Sequence, residues 1–409
     1  HSTILEEVHS WHAAQTGHIH GGPALRLAFI TTREHDATNM RSWSGTPYHM
    51  AQALLREGVT LEYVGPLQTR FRTALRVRAR LQRHFGGGYL YDRDPIVLRH
   101  YARQIASRLA HLDVDAILCP GTMPVAYLDT GIPVVTWTDA TFAAMVDYYP
   151  SFSGLSAGSI RAGHAAERAA LDRVDAAVFS SSWAAESAIR DYGADRAKVH
   201  VVPFGANLRT EPAGNDVEAL IEGRPRNECR LLFVGVDWYR KGGDLALEVA
   251  SRLVQSGIPT KLTVVGCRVP EGSDAGLVES IGFIDKAAPD GEARLVDLLS
   301  RSHFFCLPSR ADCTPVVFSE ANAHGIPSVS VRTGGIGSVI ESGKNGYLFG
   351  PDDFVENATR AIRACFADYE GVYAPLARSS YEEYRRRLNW AISARTLMGH
   401  LSHLVSAGG

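Results

Sequence analysis

The sequence predicts an α/β protein with two Rossmann-like domains that face an interdomain cleft. A chain of 409 residues is too long for a single hydrophobic core. In both halves, short apolar runs of strand length alternate with segments of helical periodicity, the pattern of parallel sheets with crossover helices. Between them, residues 209–227 are rich in proline, glycine and charge, which is typical of a linker. We therefore expect domains over 25–208 and 209–380 and a C-terminal helix over 381–409.

Composition narrows the class of protein. Hydrophobic residues make up 45% of the chain and charged residues 21%, which is ordinary for a soluble globular protein. A net charge of −2 argues against a general nucleic-acid-binding protein. The six cysteines are scattered without a CxxC pair, and no apolar run approaches the length of a membrane span, so we expect a cytoplasmic protein. Residues 1–24 contain five histidines and lack a signal-peptide core, and we interpret them as an N-terminal arm or a remnant of cloning.

A glycine turn follows the first predicted strand. Residues 25–32 lead through a polar loop to Gly45-Thr46-Pro47 and then to an apolar-periodic helix. This order of strand, turn and helix lets a phosphate approach the backbone, because Gly45 has no Cβ. The dinucleotide fingerprint GxGxxG is absent, which disfavours a dehydrogenase. Gly45 is therefore a candidate ligand contact, and a plain strand-to-helix turn is the alternative.

Residues 70–85 form a predicted basic helix. Apolar residues at steps of three and four form one stripe, which consists of Phe71, Ala74, Val77, Leu81 and Phe85. Another face carries a row of arginines, Arg72, Arg76, Arg80 and Arg83. A basic amphipathic helix can lie on an anionic membrane surface. From the sequence we favour the alternative, a surface helix whose apolar stripe docks on its own domain.

Two acidic segments of the first half have separate interpretations. Asp92-Arg93-Asp94 has the form of a metal-binding DxD sequence, but it directly precedes Pro95 and a predicted helix over 96–109. An N-cap role is therefore expected, and no essential metal is predicted. Asp139 follows a predicted strand over 134–137, at the sheet edge where open α/β sheets bind ligands. An N-cap for the following segment is the alternative for Asp139.

The second half restarts with a buried strand over 231–234 and a glycine-rich loop over 235–243. The loop is not a Walker A sequence, yet it places Arg240 and Lys241 immediately before a predicted helix. Paired cations at such a position can neutralise a departing diphosphate. The alternative is that both side chains are solvated on the surface.

The most informative stretch is residues 308–327, which follow an apolar strand over 303–307. Asp312 and Glu320 lie eight positions apart in it. Pro315 suits the first turn of a helix, and Thr314 is its N-cap candidate. The free amide groups around Val316 would then point into the crevice at the carboxyl end of the strand. An N-capping aspartate followed by a surface glutamate is the alternative.

These features resemble the acidic-x7-Glu signature of the family-4 retaining glycosyltransferases, which have the two-domain GT-B fold. Most members carry glutamate at the first position, where this chain has Asp312, and Glu320 matches the second. In that family the second carboxylate grips the ribose of a nucleotide sugar, and the first lies near the transferred sugar. Lys241 falls on the diphosphate-binding lysine. Val236 stands where many members have arginine, so Arg240 or a residue from elsewhere supplies a second charge, or one charge suffices.

The resemblance implies further roles. The family's loop corresponding to 280–284 packs on the nucleobase, largely through backbone groups, which makes Phe283 and Ile284 candidates. Gly45 would lie near the donor phosphates. Asp139, beside the place where a histidine often stands, would accept sugar hydroxyls or stabilise charge.

We also predict the locations of two other segments. Tyr148 and Tyr149 can line an acceptor cleft. The predicted final helix, 381–405, would return to the first domain.

By resemblance, the protein is a hexosyltransferase that moves a sugar from a nucleoside-diphosphate sugar to a hydroxyl acceptor with retention of configuration. The donor is a co-substrate, and neither a cofactor nor a metal is expected. The acceptor can be a saccharide, a lipid-linked molecule or a small molecule; no nucleic acid is expected, and residues 70–85 are the candidate contact with the inner membrane face. The expected catalytic residues are Asp312, Asp139 and Lys241, and the expected donor-binding residues are Gly45, Arg240, Lys241, Phe283, Ile284, Thr314, Pro315, Val316 and Glu320.

Two alternatives remain from the sequence. One is an epimerase or phosphorylase of the same two-domain architecture. The other is a two-domain ligand-binding protein, which would leave Arg240, Lys241 and the Asp312–Glu320 pair without a purpose.

Overall fold

The structure is a computed structural model that describes residues 25–69, 72–272 and 276–408. These residues form two α/β domains, each built on a six-stranded sheet whose strands are parallel. Helices cover the sheets, so the strands are apolar runs rather than alternating ones. The predicted pair of Rossmann-like domains is confirmed.

The N-terminal sheet has the strand order β2-β1-β3-β4-β5-β6. Its strands are β1 (Arg26–Thr32), β2 (Thr60–Leu67), β3 (Ala116–Cys119), β4 (Val134–Thr138), β5 (Ala176–Phe179) and β6 (Val199–Val201). The helices are α1 (Thr46–Arg56), α2 (Arg72–Phe85), α3 (Pro95–Leu109), α4 (Phe142–Met145), α5 (Ala157–Arg173) and α6 (Ser182–Tyr192). Because β1 lies between β2 and β3, the chain reverses direction across the sheet there and leaves a crevice at the carboxyl ends.

The C-terminal sheet has the order β12-β11-β10-β7-β8-β9, with its switch point between β7 and β10. Its strands are β7 (Cys229–Val234), β8 (Thr260–Val265), β9 (Val278–Gly282), β10 (Phe304–Cys306), β11 (Ser328–Val331) and β12 (Gly346–Phe349). The helices are α7 (Gly214–Gly223), α8 (Gly243–Gln255), α9 (Gly291–Ser300), α10 (Val317–Ala323), α11 (Phe354–Ala367), α12 (Ala374–Arg387) and α13 (Trp390–Gly408). The loops after β7 and β10 therefore meet at one edge of the sheet.

The predicted linker contains a helix. Residues 209–227 include α7, and Val217 and Ile221 on this helix are buried in the core of the C-terminal domain. The two apolar residues share one face at the i, i+4 spacing. Sequence patterns alone did not indicate this helix, because the surrounding glycines and charged residues are typical of a linker. The chain passes between the domains just before α7.

The predicted final helix over 381–405 is two helices, α12 and α13. The break is at Asn389, whose side-chain oxygen accepts from the amide of Ile392 at 3.0 Å and so starts the second helix. Trp390 then packs against Trp137 and Phe204 of the N-terminal domain. The return of the final helix to the first domain is confirmed, and it begins at Trp390.

The basic helix α2 docks by a different face from the predicted one. Leu75 packs against the N-terminal core, whereas Val77 and Leu81 of the predicted stripe are 51% and 56% exposed. Docking of that stripe on its own domain is therefore wrong for the described side chains; Phe71 and the side chain of Phe85 lie outside the described part. Among the described residues, no helix has both the length and the apolar character that a membrane crossing requires.

Candidate active site

A pocket of about 600 Å³ lies between the domains, at the carboxyl ends of both sheets. Ten of the eleven expected catalytic and donor-binding residues line this pocket, and Gly45 is the exception. Gly45 lies between two lining residues, Ser44 and Thr46. The expected residues that line the pocket are Asp139, Arg240, Lys241, Phe283, Ile284, Asp312, Thr314, Pro315, Val316 and Glu320.

Lys241 and Asp312 form an ion pair in the pocket wall. The Nζ atom of Lys241 donates to Oδ2 of Asp312, which also accepts from the hydroxyl of Ser309 at 3.1 Å. Lys241 follows β7 and Asp312 follows β10, and these adjacent strands flank the switch point. Gly242 lets the loop after β7 pack closely against Pro308. Its φ is positive, at 77°, and a Cβ there would overlap the carbonyl of Pro308.

Arg240 faces the same pocket but is tied to the protein. Its Nη1 donates to the carbonyl of Ala311 at 2.9 Å, and its guanidinium lies 5.4 Å from the ring centroid of Tyr149. A cation over an aromatic face is held in place by the ring quadrupole. Arg240 thus supplies positive charge near the Asp312 turn from a fixed position.

Glu320 is buried on α10 rather than exposed on the surface. Its side chain is 2% exposed, and its Oε1 lies 2.6 Å from Nζ of Lys286. Lys286 also donates to the backbone carbonyl of Asn207 at 3.2 Å. The interpretation of Glu320 as a surface glutamate is therefore wrong.

The predicted start of the α10 helix is wrong by two residues. The helix begins at Val317, and its N-cap is Val316, which already has helical backbone angles. Thr314 is not the cap; its hydroxyl lies 2.8 Å from the hydroxyl of Ser180 in the N-terminal domain. Pro315 lies before the helix in the pocket wall. The side chain of Thr314 therefore forms a hydrogen bond with the other domain and does not cap α10.

Asp139 lies on the N-terminal side of the pocket, facing Asp312. Burial raises the pKa of its carboxyl to about 7 in all, with a smaller contribution from the charge of Asp312 and against one backbone hydrogen bond. The N-cap alternative is wrong, because Thr141 caps the following helix α4. A carboxyl group with a pKa near neutrality in a cleft is a common property of functional sites.

The turn at Gly45 has an unusual backbone. Trp43, Ser44 and Gly45 have φ values of 44°, 56° and 85° in succession. Left-handed conformations are strained for residues other than glycine and cluster at ligand sites. The side-chain amide of Asn207 holds the turn by donating to the carbonyl of Ser44 at 2.9 Å and lies 3.2 Å from the hydroxyl of Thr46.

The expected nucleobase loop shows two different environments. Phe283 is 70% exposed at the pocket rim, and Ile284 is buried. Directly after them, Asp285 forms an ion pair at 2.7 Å with Arg41 of the N-terminal domain. This pair joins the two rims of the cleft beside the exposed ring of Phe283.

Asp94 caps α3, as predicted. Its carboxylate accepts from the amide of Ile96 at 2.9 Å, with Pro95 in the first turn. Asp92 instead pairs with the guanidinium of Arg93. Across the described ranges, no group of His, Cys, Asp and Glu side chains is placed to hold a metal ion.

Sequence patterns did not predict that Lys286, Asn207 and Arg41 belong to the site. Lys286 lies only two positions after Ile284, so its closeness to the expected nucleobase loop was a usable signal. Asn207 lies at the end of the first domain, and its contacts depend on how three separate segments converge. No sequence pattern identified that convergence.

Two family models match the chain. The one described as "Glycosyltransferase Family 4" matches residues 46–210, and the one described as "Glycosyl transferases group 1" matches residues 228–368. The chain belongs to the group 1, family-4-like glycosyltransferases. The second match contains Lys241, Asp312 and Glu320, so the expected donor side of the pocket belongs to the group 1 domain.

The curated relatives of this glycosyltransferase include several proteins named D-inositol 3-phosphate glycosyltransferase. The protein of Gordonia bronchialis is 29% identical over 202 residues, which cover 45% of this chain and 43% of the relative. The protein of Xylanimonas cellulosilytica is 29% identical over 238 residues, which cover 55% of this chain and 56% of the relative. The chain thus spans about half the length of these relatives.

Solved structures share the fold of this glycosyltransferase over nearly its whole length. Sucrose-phosphate synthase from Thermosynechococcus elongatus has a TM-score of 0.65 at 17% identity and covers 94% of this chain and 100% of its own. Anabaena HepE in complex with UDP and glucose has a TM-score of 0.58 at 14% identity, covering 92% and 99%. These likenesses support the GT-B arrangement of the two domains.

Proposed function

We propose that this glycosyltransferase transfers a sugar from a nucleoside-diphosphate sugar to a hydroxyl acceptor with retention of configuration and without an essential metal. The observation that carries the proposal is the meeting of Lys241, Asp312, Asp139 and Glu320 in one interdomain pocket. Two lysine–carboxylate ion pairs lie in its wall, Lys241 with Asp312 and Lys286 with Glu320. In the proposal, Lys241 binds the diphosphate and the buried Glu320 binds the ribose hydroxyls.

The diphosphate leaves with help from fixed positive charge. Lys241 can exchange its bond with Asp312 for the diphosphate oxygens, and Arg240 adds a second charge nearby. Such preorganised charge stabilises the transition state more than the ground state, because the negative charge grows as the bond breaks. This role for protein cations supports transfer without a metal.

The sugar passes through an oxocarbenium-like transition state. The bond between the anomeric carbon and the diphosphate oxygen breaks, and its electron pair goes to that oxygen. The acceptor oxygen bonds to the same face of the carbon, and its proton goes to the departing diphosphate. Asp312 and ionised Asp139 lie on opposite sides of the pocket, where their charge can favour the positive sugar. Closure of the cleft excludes water that would otherwise hydrolyse the donor.

The decisive experiment is product analysis with a panel of nucleotide sugars. UDP-glucose comes first, because HepE has been seen with UDP and glucose. D-inositol 3-phosphate is the first acceptor, from the names of the relatives, followed by sugars and lipid-linked saccharides. Proton NMR of the fresh product should show the donor's anomeric configuration, and EDTA should leave the rate unchanged. An inverted product would contradict retention, and loss of activity in EDTA would contradict metal independence.

The same assay separates the alternatives. An epimerase would change the nucleotide sugar without an acceptor, and a phosphorylase would require inorganic phosphate. A ligand-binding protein would bind a nucleotide sugar and release it unchanged. Formation of a glycoside only when both donor and acceptor are present would distinguish transfer from all three.

We also propose that α2 contacts an anionic membrane surface. Residues 72–85 contain five arginines and no carboxylate. Leu75 holds the helix to its domain, and Arg78 adds an ion pair with Asp94 at 3.5 Å. Val77 and Leu81, four positions apart, then face outward together. Exposed apolar residues beside cations are the arrangement by which a helix lies on anionic lipid.

Vesicle flotation tests this contact. We expect binding to vesicles that contain phosphatidylglycerol and none to pure phosphatidylcholine. Replacing Arg76 and Arg80 with glutamine should weaken binding about tenfold or more, since each cation near the surface contributes about 1 kcal/mol. Val77→Ser with Leu81→Ser should also weaken it. The control is Ile96→Ser, which removes an apolar side chain that is 67% exposed on α3 of the same domain.

Membrane contact is independent of the transfer reaction. Equal flotation of wild type and the Arg76/Arg80 variant, or no flotation on anionic vesicles, would refute it. Both results would leave the proposed chemistry intact. The six unpaired cysteines fit a reducing compartment, so we place the reaction on the cytoplasmic side of that membrane.

A further inference from the structure

Two adjacent tyrosines of the N-terminal domain reach the Asp312 turn of the C-terminal domain. The hydroxyl of Tyr148 accepts from the amide of Asp312 at 2.8 Å and lies 3.1 Å from the carbonyl of the same residue. The hydroxyl of Tyr149 accepts from the amide of Cys313 at 3.0 Å. Two consecutive backbone amides of the expected catalytic turn thus obtain their partners from the opposite domain.

The surroundings fix both rings. Tyr148 packs against Trp183 with ring centroids 5.2 Å apart, and Tyr149 lies against the guanidinium of Arg240. Gly334, with a φ of 50°, leaves the space for Tyr148, because a Cβ there would overlap the tyrosine hydroxyl. Burial raises the pKa of both phenols, so both hydroxyls keep their protons at neutral pH. The contact is therefore built from several matched groups.

We infer that Tyr148 and Tyr149 are positioning residues that form the Asp312 turn only when the domains close. Lys241 and Ser309 hold the carboxylate of Asp312, and hydroxyls from across the cleft hold its backbone, so both sets of contacts fix its orientation. When the cleft opens, both amides lose these acceptors together. The tyrosines thereby couple closure, which excludes water, to the correct placement of the carboxylate. This inference rests on the proposed transfer function.

The coupling separates nucleotide binding from transfer. Glu320, Lys286 and Lys241 all belong to the C-terminal domain, so a nucleoside diphosphate can bind without the tyrosines. The orientation of Asp312 matters only when the sugar reacts. Removal of the tyrosine hydroxyls should therefore lower kcat and leave the affinity for a nucleoside diphosphate nearly unchanged.

The variants are Tyr148→Phe and Tyr149→Phe, which keep the rings and their packing. The control is Tyr101→Phe, which removes a buried hydroxyl that contacts Thr69 within the N-terminal domain at 2.6 Å. We expect kcat to fall about tenfold in each test variant, as for loss of one hydrogen bond to a buried amide. The Kd for UDP or GDP, measured by calorimetry, should change by less than about twofold, and the control should match wild type.

Hydrogen exchange gives a readout that needs no substrate. In the free protein, amides in peptides that cover 310–314 should exchange about five- to tenfold faster in the two test variants than in wild type or the control. If wild type transfers sugar and the two test variants show either the wild-type exchange rate or the wild-type kcat, the inference is overturned and the proposed function stands. If wild type transfers no sugar at all, the proposed function fails, and faster exchange still supports the hydroxyl contacts.

Discussion

The ammonium group of Lys286 lies 2.6 Å from the carboxylate of Glu320, although the two residues are 34 positions apart. The lysine side chain is 23% exposed and the glutamate side chain 2%. A carboxylate this deeply buried requires a charged or hydrogen-bonded partner, because desolvation penalises its ionised form. Lys286 supplies that partner from the loop that follows β9. The pair joins the expected nucleobase loop to the expected ribose-binding residue.

Replacing Lys286 with methionine should lower the free energy of unfolding by about 1–3 kcal/mol, because Glu320 would keep a buried charge without its cation. Urea denaturation at pH 7 measures the change. The double variant Lys286→Met/Glu320→Gln should recover part of the loss, since the uncompensated charge is gone.

The matched control for this pair is Lys344→Met. Lys344 also forms a lysine–glutamate ion pair, with Glu341 at 2.7 Å, but both side chains are about half exposed. Its loss should cost less than about 1 kcal/mol. Equal effects of the two substitutions would contradict the special importance of the buried pair.

Lys241→Ala should reduce kcat by about 100- to 1000-fold, the usual effect of removing one group that stabilises a developing negative charge. The affinity for UDP or GDP should fall as well, because in the proposed mechanism the lysine also contacts the diphosphate of the bound nucleotide. Steady-state kinetics and calorimetry give the two values. Lys344→Ala is the control, since it removes an exposed lysine of the same domain. A Lys241→Ala enzyme with the wild-type rate would refute the role of this residue.

The rate should increase with pH through about 7 if ionised Asp139 favours the positive sugar. A group whose pKa is about 7 becomes about tenfold more ionised between pH 6 and pH 8. kcat should follow that rise in wild type and lose it in Asp139→Asn, which cannot ionise. Asp129→Asn, an exposed aspartate in the same domain, should keep the wild-type profile. A pH dependence that survives in Asp139→Asn would belong to another group.

The same titration has the opposite effect on stability. The folded-state pKa is raised from 3.8 to about 7, so between these values the folded protein holds a proton that the unfolded chain has released. The contribution to the free energy of unfolding is fully present below about pH 4 and falls as the pH rises to 7. As the pH rises from 4 to 7, the free energy of unfolding of Asp139→Asn should therefore increase relative to that of wild type.

Much of the architecture could be predicted because it depends on local pattern. Apolar runs indicated the strands, and Lys241 and Asp312 follow two of them directly. Parallel strands place their carboxyl ends at one edge of the sheet, so both residues had to lie at that edge. The pairing of Lys241 with Asp312 then required only the strand order around the switch point.

What could not be predicted depends on where loops travel. Thr314 looked like a helix cap, but a hydroxyl from the other domain competes for its side chain. In α2 the sequence offered more than one apolar face, and periodicity alone could not show that Leu75 rather than Val77 meets the core. Lys286 reaches Glu320 through the path of a loop, which no spacing rule describes. These residues combine contacts from distant segments.

Asn207 is the clearest example of such a residue. Its side-chain amide donates to the carbonyl of Ser44 at 2.9 Å, and its oxygen accepts from the indole of Trp390 at 3.0 Å. Its backbone carbonyl accepts from Lys286. One buried residue therefore connects the left-handed turn and the returning helix through its side chain, and the lysine that holds Glu320 through its backbone.

Asn207→Ala should lower the free energy of unfolding by about 2–3 kcal/mol, because buried donors and acceptors are left without partners. It should also weaken binding of UDP or GDP, since the turn at Ser44, which lines the pocket, loses the side-chain amide that holds it. The control is Asn345→Ala. Asn345 is equally buried, donates to Asn322 and Val339 and accepts from the amide of Glu341, away from the pocket. We expect it to lose similar stability and keep the nucleotide affinity. If both variants bind nucleotide equally well, Asn207 supports the fold alone and has no part in shaping the site.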